Sequence, residues 1–270
     1  MFTIWNGTER GRLIIIEQNL RGIDVSAYQG SIDWRAVAAD GIRFAMIKAT
    51  QGRSVSNPAL RNFTDSRFAE NVRGAAAAGL ACGAYHYLTA QSEAEAVQEA
   101  EVFLSAVAPF SKQLTLGAAV DVEDSRLPRN RVLLTAIVRA FCDRVKRGGF
   151  DIMVYTNPDH LQNRMNNLTE YGLWLALWRD KELQPDPARY PNLRIWQWGT
   201  EKIAGIQGKS DSNYGIVGLL DTPSRPIDYA AEVKRRAELA EVTMQYLRTY
   251  RYADDLLRKL YEAMTKGEGK

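Results

Sequence analysis

The amino-acid sequence predicts an α/β fold, an irregular (β/α) barrel of about eight strands with fewer outer helices, followed by a C-terminal helical tail. Three observations support this prediction. Short apolar runs alternate with longer amphipathic stretches, the amphipathic stretches become scarce after residue 177, and polar or aromatic residues end several of the runs. Alternation of this kind favours a parallel sheet with helices on its outside.

The predicted strands are short runs rich in β-branched, aromatic and small apolar residues. They cover residues 23–27, 44–49, 80–87, 116–122, 151–155, 173–177, 193–198 and 215–219. About eight strands over roughly 210 residues predict a closed barrel similar to a TIM barrel, in which active residues lie at the C-terminal strand ends.

The predicted helices lie between these strands. Ser92 with Glu95 three residues later is a capping-box pattern, and Pro158 suits the first turn of a helix. Glycines at positions 41, 79 and 148 suit helix ends. The helices are predicted at residues 34–40, 66–78, 92–107, 131–147 and 158–165.

The composition excludes several classes of protein. The chain has 270 residues, enough for one large barrel or two small domains. Its net charge of +3, from 35 basic and 32 acidic residues, is too balanced to indicate nucleic-acid binding. No apolar run reaches the roughly 20 residues of a membrane helix. Cys82 and Cys142 are expected to be buried free thiols, and since no cluster has zinc spacing we expect no metal or cofactor.

The apolar run at residues 118–120 ends in two carboxylates, Asp121 and Glu123. Alternate residues of a strand share one face, so each carboxylate raises the pKa of the other. This pair suits acid–base catalysis; the alternative is a solvated strand end whose charges cap a helix. In glycoside hydrolysis Glu123 would be the proton donor, because it is longer and because Asp121 and Asp24 hold its proton, while Asp121 stays ionised.

A series of short motifs between residues 22 and 211 carries a family resemblance. The motifs are Gly22-Ile23-Asp24-Val25-Ser26, Tyr28-Gln29-Gly30, Asp33-Trp34, Ile47-Lys48-Ala49-Thr50, Gly83-Ala84-Tyr85-His86-Tyr87, Asp121-Val122-Glu123, Val154-Tyr155-Thr156, Leu173-Trp174-Leu175-Ala176, Trp196-Gln197-Trp198, and Gly205-Ile206-Gln207-Gly208 before Asp211. In this order the series resembles the glycoside hydrolase family 25 lysozymes, which are bacterial and phage N-acetylmuramidases. Each motif is weak alone, and together they are specific.

The resemblance implies roles for four acidic residues. Glu123 matches the catalytic acid. Asp121 matches the partner that assists the substrate's N-acetyl group or otherwise stabilises the oxocarbenium-like state. Asp24 and Asp211 match two further acidic residues of the cleft. Substrate assistance and inversion both stay open at this stage.

Further candidates for substrate binding lie at the predicted strand ends. The two tyrosines are expected to donate hydrogen bonds to sugar or acetyl oxygens, and the tryptophans to stack on sugars, with at least one of them in the core. The lysine either binds substrate or pairs with a rim carboxylate, and His86 is expected to be a hydrogen-bonded barrel residue. The candidates are Lys48, Tyr85, Tyr155, Trp174, Trp196, Gln197 and Trp198.

Two positions depart from the family pattern. Family members often have Glu after the Lys-Ala-Thr motif, where this chain has Gln51, and the exchange alters the charge at the rim. The last motif usually reads Val-Asp-Leu-Asn, whereas residues 210–213 read Ser-Asp-Ser-Asn, which makes Asp211 the weakest of the four assignments.

The resemblance divides the chain into an N-terminal extension (residues 1–21), a catalytic barrel (residues 22–222) and a helical C-terminal extension (residues 223–270). In the last part apolar residues recur at steps of three and four, and the phase breaks near residues 248–252. This pattern predicts one kinked helix or two helices. The apolar stripes either pack on the barrel or on each other, or form a seam for self-association or partner docking.

The leading hypothesis is a lysozyme that hydrolyses bacterial peptidoglycan at the β-1,4 bond between N-acetylmuramic acid and N-acetylglucosamine. The alternatives are a non-catalytic wall-binding or structural phage component with the same fold, and another N-acetylhexosaminidase such as a chitinase. Since no basic region precedes an apolar run at the N-terminus, we expect no signal peptide. Phage-type release, delivery by another machine, or prior removal of a signal would then bring the protein to the cell wall.

Overall fold

The computed structural model describes residues 16–53, 61–220, 230, 233–234, 237–249 and 253–265. The strands are β1 (Ile16–Val25), β2 (Ile42–Arg53), β3 (Arg61–Thr64), β4 (Ala81–Tyr87), β5 (Ala118–Asp121), β6 (Ile152–Thr156), β7 (Gly172–Ala176), β8 (Leu193–Glu201) and β9 (Ser210–Ile216). The helices are α1 (Trp34–Ala39), α2 (Phe68–Ala77), α3 (Glu93–Val107), α4 (Arg131–Arg147), α5 (Glu241–Arg248) and α6 (Ala253–Thr265).

Eight of these strands close into a barrel. Their order around the ring is β1, β2, β4, β5, β6, β7, β8 and β9, and β9 pairs with β1 to complete it. The remaining strand, β3, forms an antiparallel arm on β2. The predicted irregular barrel with fewer outer helices is therefore confirmed.

The barrel is mixed rather than parallel. The strands from β1 to β8 in the ring run parallel, whereas β9 is antiparallel to both of its neighbours, β8 and β1. The connection at residues 202–209 is too short for a helical crossover, which needs about a dozen residues, so the chain returns as in a hairpin. The expectation of a wholly parallel sheet was wrong for this last strand.

Outer helices are concentrated in the first half of the barrel. Helices α3 and α4 pack against each other, and Ser92 caps α3 by accepting a hydrogen bond from the Glu95 amide at 3.2 Å. The predicted helix at residues 158–165 is present over residues 158–164, and most of it, His160–Arg164, is a π-helix rather than an α-helix. The connections after β7 and β8 contain no helix in the described structure.

Successive side chains of each strand point to opposite faces, and this alternation separates an inner core from an outer core. Phe44 lies in the barrel interior, where a Cβ atom at Gly22 would lie 2.2 Å from its ring, so this position requires glycine. Ile23 and Ala45, one residue on in each strand, belong to the outer layer beneath the helices. The outer layer also holds both cysteines, which are buried and free as predicted.

In the described part of the C-terminal extension, α5 and α6 are separate helices rather than one continuous helix, and residues 230 and 233–234 are helical as well. Val233, Met244 of α5 and Leu257 of α6 are buried in one small cluster, so the apolar stripes pack on each other. Among the described residues, no helix combines the length and the apolar character needed to span a bilayer.

Candidate active site

Four acidic residues meet at one mouth of the barrel. Asp24 lies near the end of β1, Asp121 ends β5, and Glu123 follows two residues later. Because β9 is antiparallel, its beginning lies where the parallel strands end, and Asp211 there is the pairing partner of Asp24. The reversed last strand therefore brings the fourth carboxylate to the site.

Asp24 is held by two amide side chains. Its Oδ2 accepts hydrogen bonds from Gln197 Nε2 at 3.0 Å and from Asn213 Nδ2 at 2.8 Å. Burial raises the pKa of Asp24 to about 7; the charge of Asp211 adds to the rise and the two amides oppose it. The side chain therefore changes its charge near neutral pH.

Aromatic side chains fix the orientation of both amides. Tyr155 Oη and Trp178 Nε1 donate to Gln197 Oε1 at 3.0 and 2.8 Å, which directs the Gln197 nitrogen toward the carboxylate. Trp174 Nε1 donates to Asn213 Oδ1 at 2.8 Å in the same way. A connected polar network thus sets the position of the Asp24 carboxylate.

The catalytic pair predicted from sequence has two different environments. Asp121 is buried, and its Oδ1 has no hydrogen-bond partner among the described residues. Burial raises the pKa of Asp121, and the charge of Glu123 adds to this effect. Glu123 is exposed, yet partial desolvation of its carboxyl followed by the charge of Asp211 also raises its pKa. The raised pKa of Glu123 suits a proton donor. The raised pKa of Asp121 differs from the expectation that this residue simply stays ionised.

Lys48 places a cation beside this pair. Its Nζ donates a 2.6 Å hydrogen bond to Gln51 Oε1 and lies 5.0 Å from the centre of the Tyr87 ring. Burial lowers the pKa of Lys48, and the charges of Asp121 and other carboxylates oppose that change. The hydrogen-bond partner of Lys48 is thus an amide, not the rim carboxylate considered from the sequence.

The remaining inward-facing candidates form an aromatic group. The Tyr85 and Tyr155 rings contact Trp174 edge-on, with centroids 5.8 and 4.5 Å away. Tyr85 is half-buried, and its pKa is raised by burial and by the charges of Asp24 and Asp121. It therefore borders the acidic cluster. Trp174 is only 1% exposed, which makes it a core residue that supports the site.

Two of the predicted sugar contacts do not face the barrel mouth. Trp196 and Trp198 flank Gln197 in β8, and alternate residues of a strand point to opposite faces. Trp196 is fully buried and donates to the Leu177 carbonyl, whereas Trp198 stacks on Tyr214 with centroids 6.1 Å apart. The structure brings Gln197 to the acidic cluster and places both rings on the other side of the strand.

Two residues that contact this network were missed in the sequence. Asn213 lies two residues after Asp211, and period-two alternation was a usable signal for it. Trp178 lies just after β7 in a loop with no periodic pattern, and it is 59% exposed although its N–H is bonded to Gln197. An exposed ring at the mouth provides a surface on which a sugar can stack.

A strand barrel with a carboxyl of raised pKa and further carboxylates at its mouth has the features of a glycoside hydrolase. Among the described residues, no group of side chains is arranged to hold a metal ion. The family model Glycosyl hydrolases family 25 matches residues 23–206. The chain belongs to this family.

Similar proteins and a solved structure agree with this family. The chain is 31% identical over 202 residues to the autolytic lysozyme of Clostridium acetobutylicum, covering 74% of this chain and 57% of that protein. It is 30% identical over 208 residues to Lysozyme M1 of Streptomyces globisporus, covering 72% and 67% of the two chains. The crystal structure of a bacterial lysozyme from Streptomyces coelicolor aligns with a TM-score of 0.59 at 26% identity, covering 73% of this chain and 91% of that one.

Proposed function

We propose that this protein is a lysozyme that hydrolyses the β-1,4 bond between N-acetylmuramic acid and N-acetylglucosamine in the bacterial cell wall. One observation carries the proposal: the buried, unpartnered Oδ1 of Asp121 lies in the same acidic cluster as Glu123, whose pKa is raised. A buried acceptor without a partner is costly unless a ligand supplies the donor. The lysozyme names of two relatives support the same substrate.

The proposed chemistry uses the two carboxyls differently. Glu123 donates its proton to the leaving glycosidic oxygen. Oδ1 of Asp121 accepts a hydrogen bond from the acetamido N–H of the sugar, and the acetamido oxygen attacks the anomeric carbon. Asp24 and Asp211 add negative potential, which stabilises the oxocarbenium-like transition state. The Glu123 carboxylate then takes a proton from the water that attacks the anomeric carbon, and the bond from that carbon to the acetamido oxygen breaks, which restores the acetamido group and the Glu123 proton.

Substrate binding is assigned to the polar and aromatic side chains around the cluster. Tyr85, Tyr155 and Lys48 are proposed to contact sugar or acetyl oxygens. The exposed ring of Trp178 is proposed to stack on a sugar face, in place of the sugar stacking first expected of Trp196 and Trp198.

Analysis of a peptidoglycan digest tests this function. Purified peptidoglycan is digested, the new reducing ends are reduced with borohydride, and the products are identified by mass spectrometry. Reduced muramic acid at the new end is the expected result. Reduced glucosamine, or activity on chitin but not on peptidoglycan, would contradict it. Sedimentation with the wall without release of fragments would instead favour the non-catalytic binding alternative.

A further inference from the structure

Lys48 is the one cation that acts on both members of the catalytic pair within the described structure. Its positive charge lowers the pKa of Asp121 and of Glu123, against the raising effect of burial. The charged groups that face it are Asp121 and Glu123 from the end of β5 and Asp65 from the connection after β3. The Tyr87 ring of β4 lies beneath its Nζ.

Gln51 holds this cation in place. It is 8% exposed, and its Nε2 donates a 2.8 Å hydrogen bond to the Arg53 carbonyl oxygen. That bond fixes the amide orientation, so Oε1 points at Lys48 Nζ and accepts from it at 2.6 Å. Because the amide is neutral, it orients the ammonium without cancelling its charge.

We propose that Gln51 is a positioning residue that, through Lys48, sets the pH range over which the Asp121–Glu123 pair is active. A carboxylate at position 51 would form an ion pair with Lys48 and weaken the field that Lys48 exerts on the pair. The inference rests on the proposed roles of Asp121 and Glu123.

The sign of the effect follows from the charges. A negative charge beside Lys48 makes both carboxyls hold their protons more tightly, so both pKa values rise. In the pH profile of kcat/KM, the acidic limb reports ionisation of Asp121 and the basic limb reports loss of the Glu123 proton. Asp24, Asp124 and Asp211 also act on this pair and are unchanged by the exchange.

The test compares pH profiles on soluble peptidoglycan fragments. Gln51→Glu is expected to move both limbs to higher pH by about 0.5 to 1 unit. Lys48→Met removes the cation altogether and is expected to move them further in the same direction. Gln98→Glu adds the same charge on the exposed side of α3, and its profile is expected to match the wild type.

Two results would overturn the inference. One is a folded Gln51→Glu protein whose limbs coincide with those of the wild type or move to lower pH. The other is a folded Lys48→Met protein whose limbs coincide with those of the wild type. This result overturns the inference even where Gln51→Glu does not fold. A Glu123→Gln variant in the same series separates the two claims: full activity of that variant refutes the proposed function, whereas its inactivity with unshifted Gln51→Glu limbs refutes this inference alone.

Discussion

Gln197 of β8 and Asp24 of β1 are joined by a 3.0 Å hydrogen bond across the barrel mouth, although β9 separates their strands. Asn213 of β9 donates to the same carboxylate oxygen, Oδ2. Both amides therefore bind one oxygen of Asp24. A neutral side chain with a single carbonyl oxygen can accept the same two bonds.

Asp24→Asn is expected to stabilise the protein at high pH. The pKa of Asp24 is raised to about 7, so the native state penalises the ionised form. The penalty is absent below pH about 4, grows as the pH rises to 7, and is complete above it, where it reaches up to about 4 kcal/mol. Thermal unfolding should show a higher Tm for Asp24→Asn than for wild type at pH 8 and similar values at pH 4. A wild type that is as stable as the variant at pH 8 contradicts this reading of Asp24.

Glu99→Ala is expected to cost about 3–5 kcal/mol of stability, because it breaks a buried polar cluster. Glu99 Oε2 lies 2.7 Å from His86 Nε2, and its Oε1 accepts from the Thr89 hydroxyl at 2.9 Å. The matched control is Glu101→Ala on the same helix, where an exposed ion pair with Arg144 is worth about 1 kcal/mol or less.

Urea unfolding of these two variants measures the difference. Equal losses in the free energy of unfolding for Glu99→Ala and Glu101→Ala would show that the His86–Glu99 cluster stabilises the protein no more than an exposed ion pair does.

Trp178→Ala is expected to raise KM for wall fragments about 3- to 10-fold, because it removes an aromatic surface at the mouth. Trp178→Phe keeps a ring but loses the N–H bond to Gln197, so it should fall between the alanine variant and the wild type. Val132→Ala, which trims an exposed side chain of α4, serves as the control. Initial rates over a range of fragment concentrations give KM, and an unchanged value for Trp178→Ala would remove this residue from the binding surface.

Removal of residues 223–270 is expected to leave the barrel intact. The strand ring is complete at the end of β9, Ile216, and the described C-terminal helices bury their apolar residues in a cluster of their own. The Tm of the shortened protein should therefore stay within about 3 °C of the full chain, and its specific activity should be unchanged. A shortened protein that aggregates or loses activity would show that the extension stabilises the barrel.

Much of the barrel was predictable because strands of β-branched and small residues carry a local signal. The same period-two rule placed Asp121 and Glu123 together. The direction of β9 and the face to which each β8 side chain points were not predictable. The sequence does not show that β9 runs antiparallel to its neighbours, and this reversal brings Asp211 and Asn213 to the mouth. Alternation separates Gln197 from Trp196 and Trp198 but does not say which set faces inward, since that depends on how the neighbouring strands close the ring.

The most direct test of the central claim is the activity of Glu123→Gln on purified peptidoglycan. Glutamine keeps the shape of the side chain and removes the proton that the leaving oxygen needs. The expected result is a loss of reducing-end release by about 10²- to 10⁴-fold with unchanged thermal stability, while Glu70→Gln on the surface of α2 retains full activity. Release of reducing ends at the wild-type rate by Glu123→Gln would contradict the assignment of this residue as the proton donor.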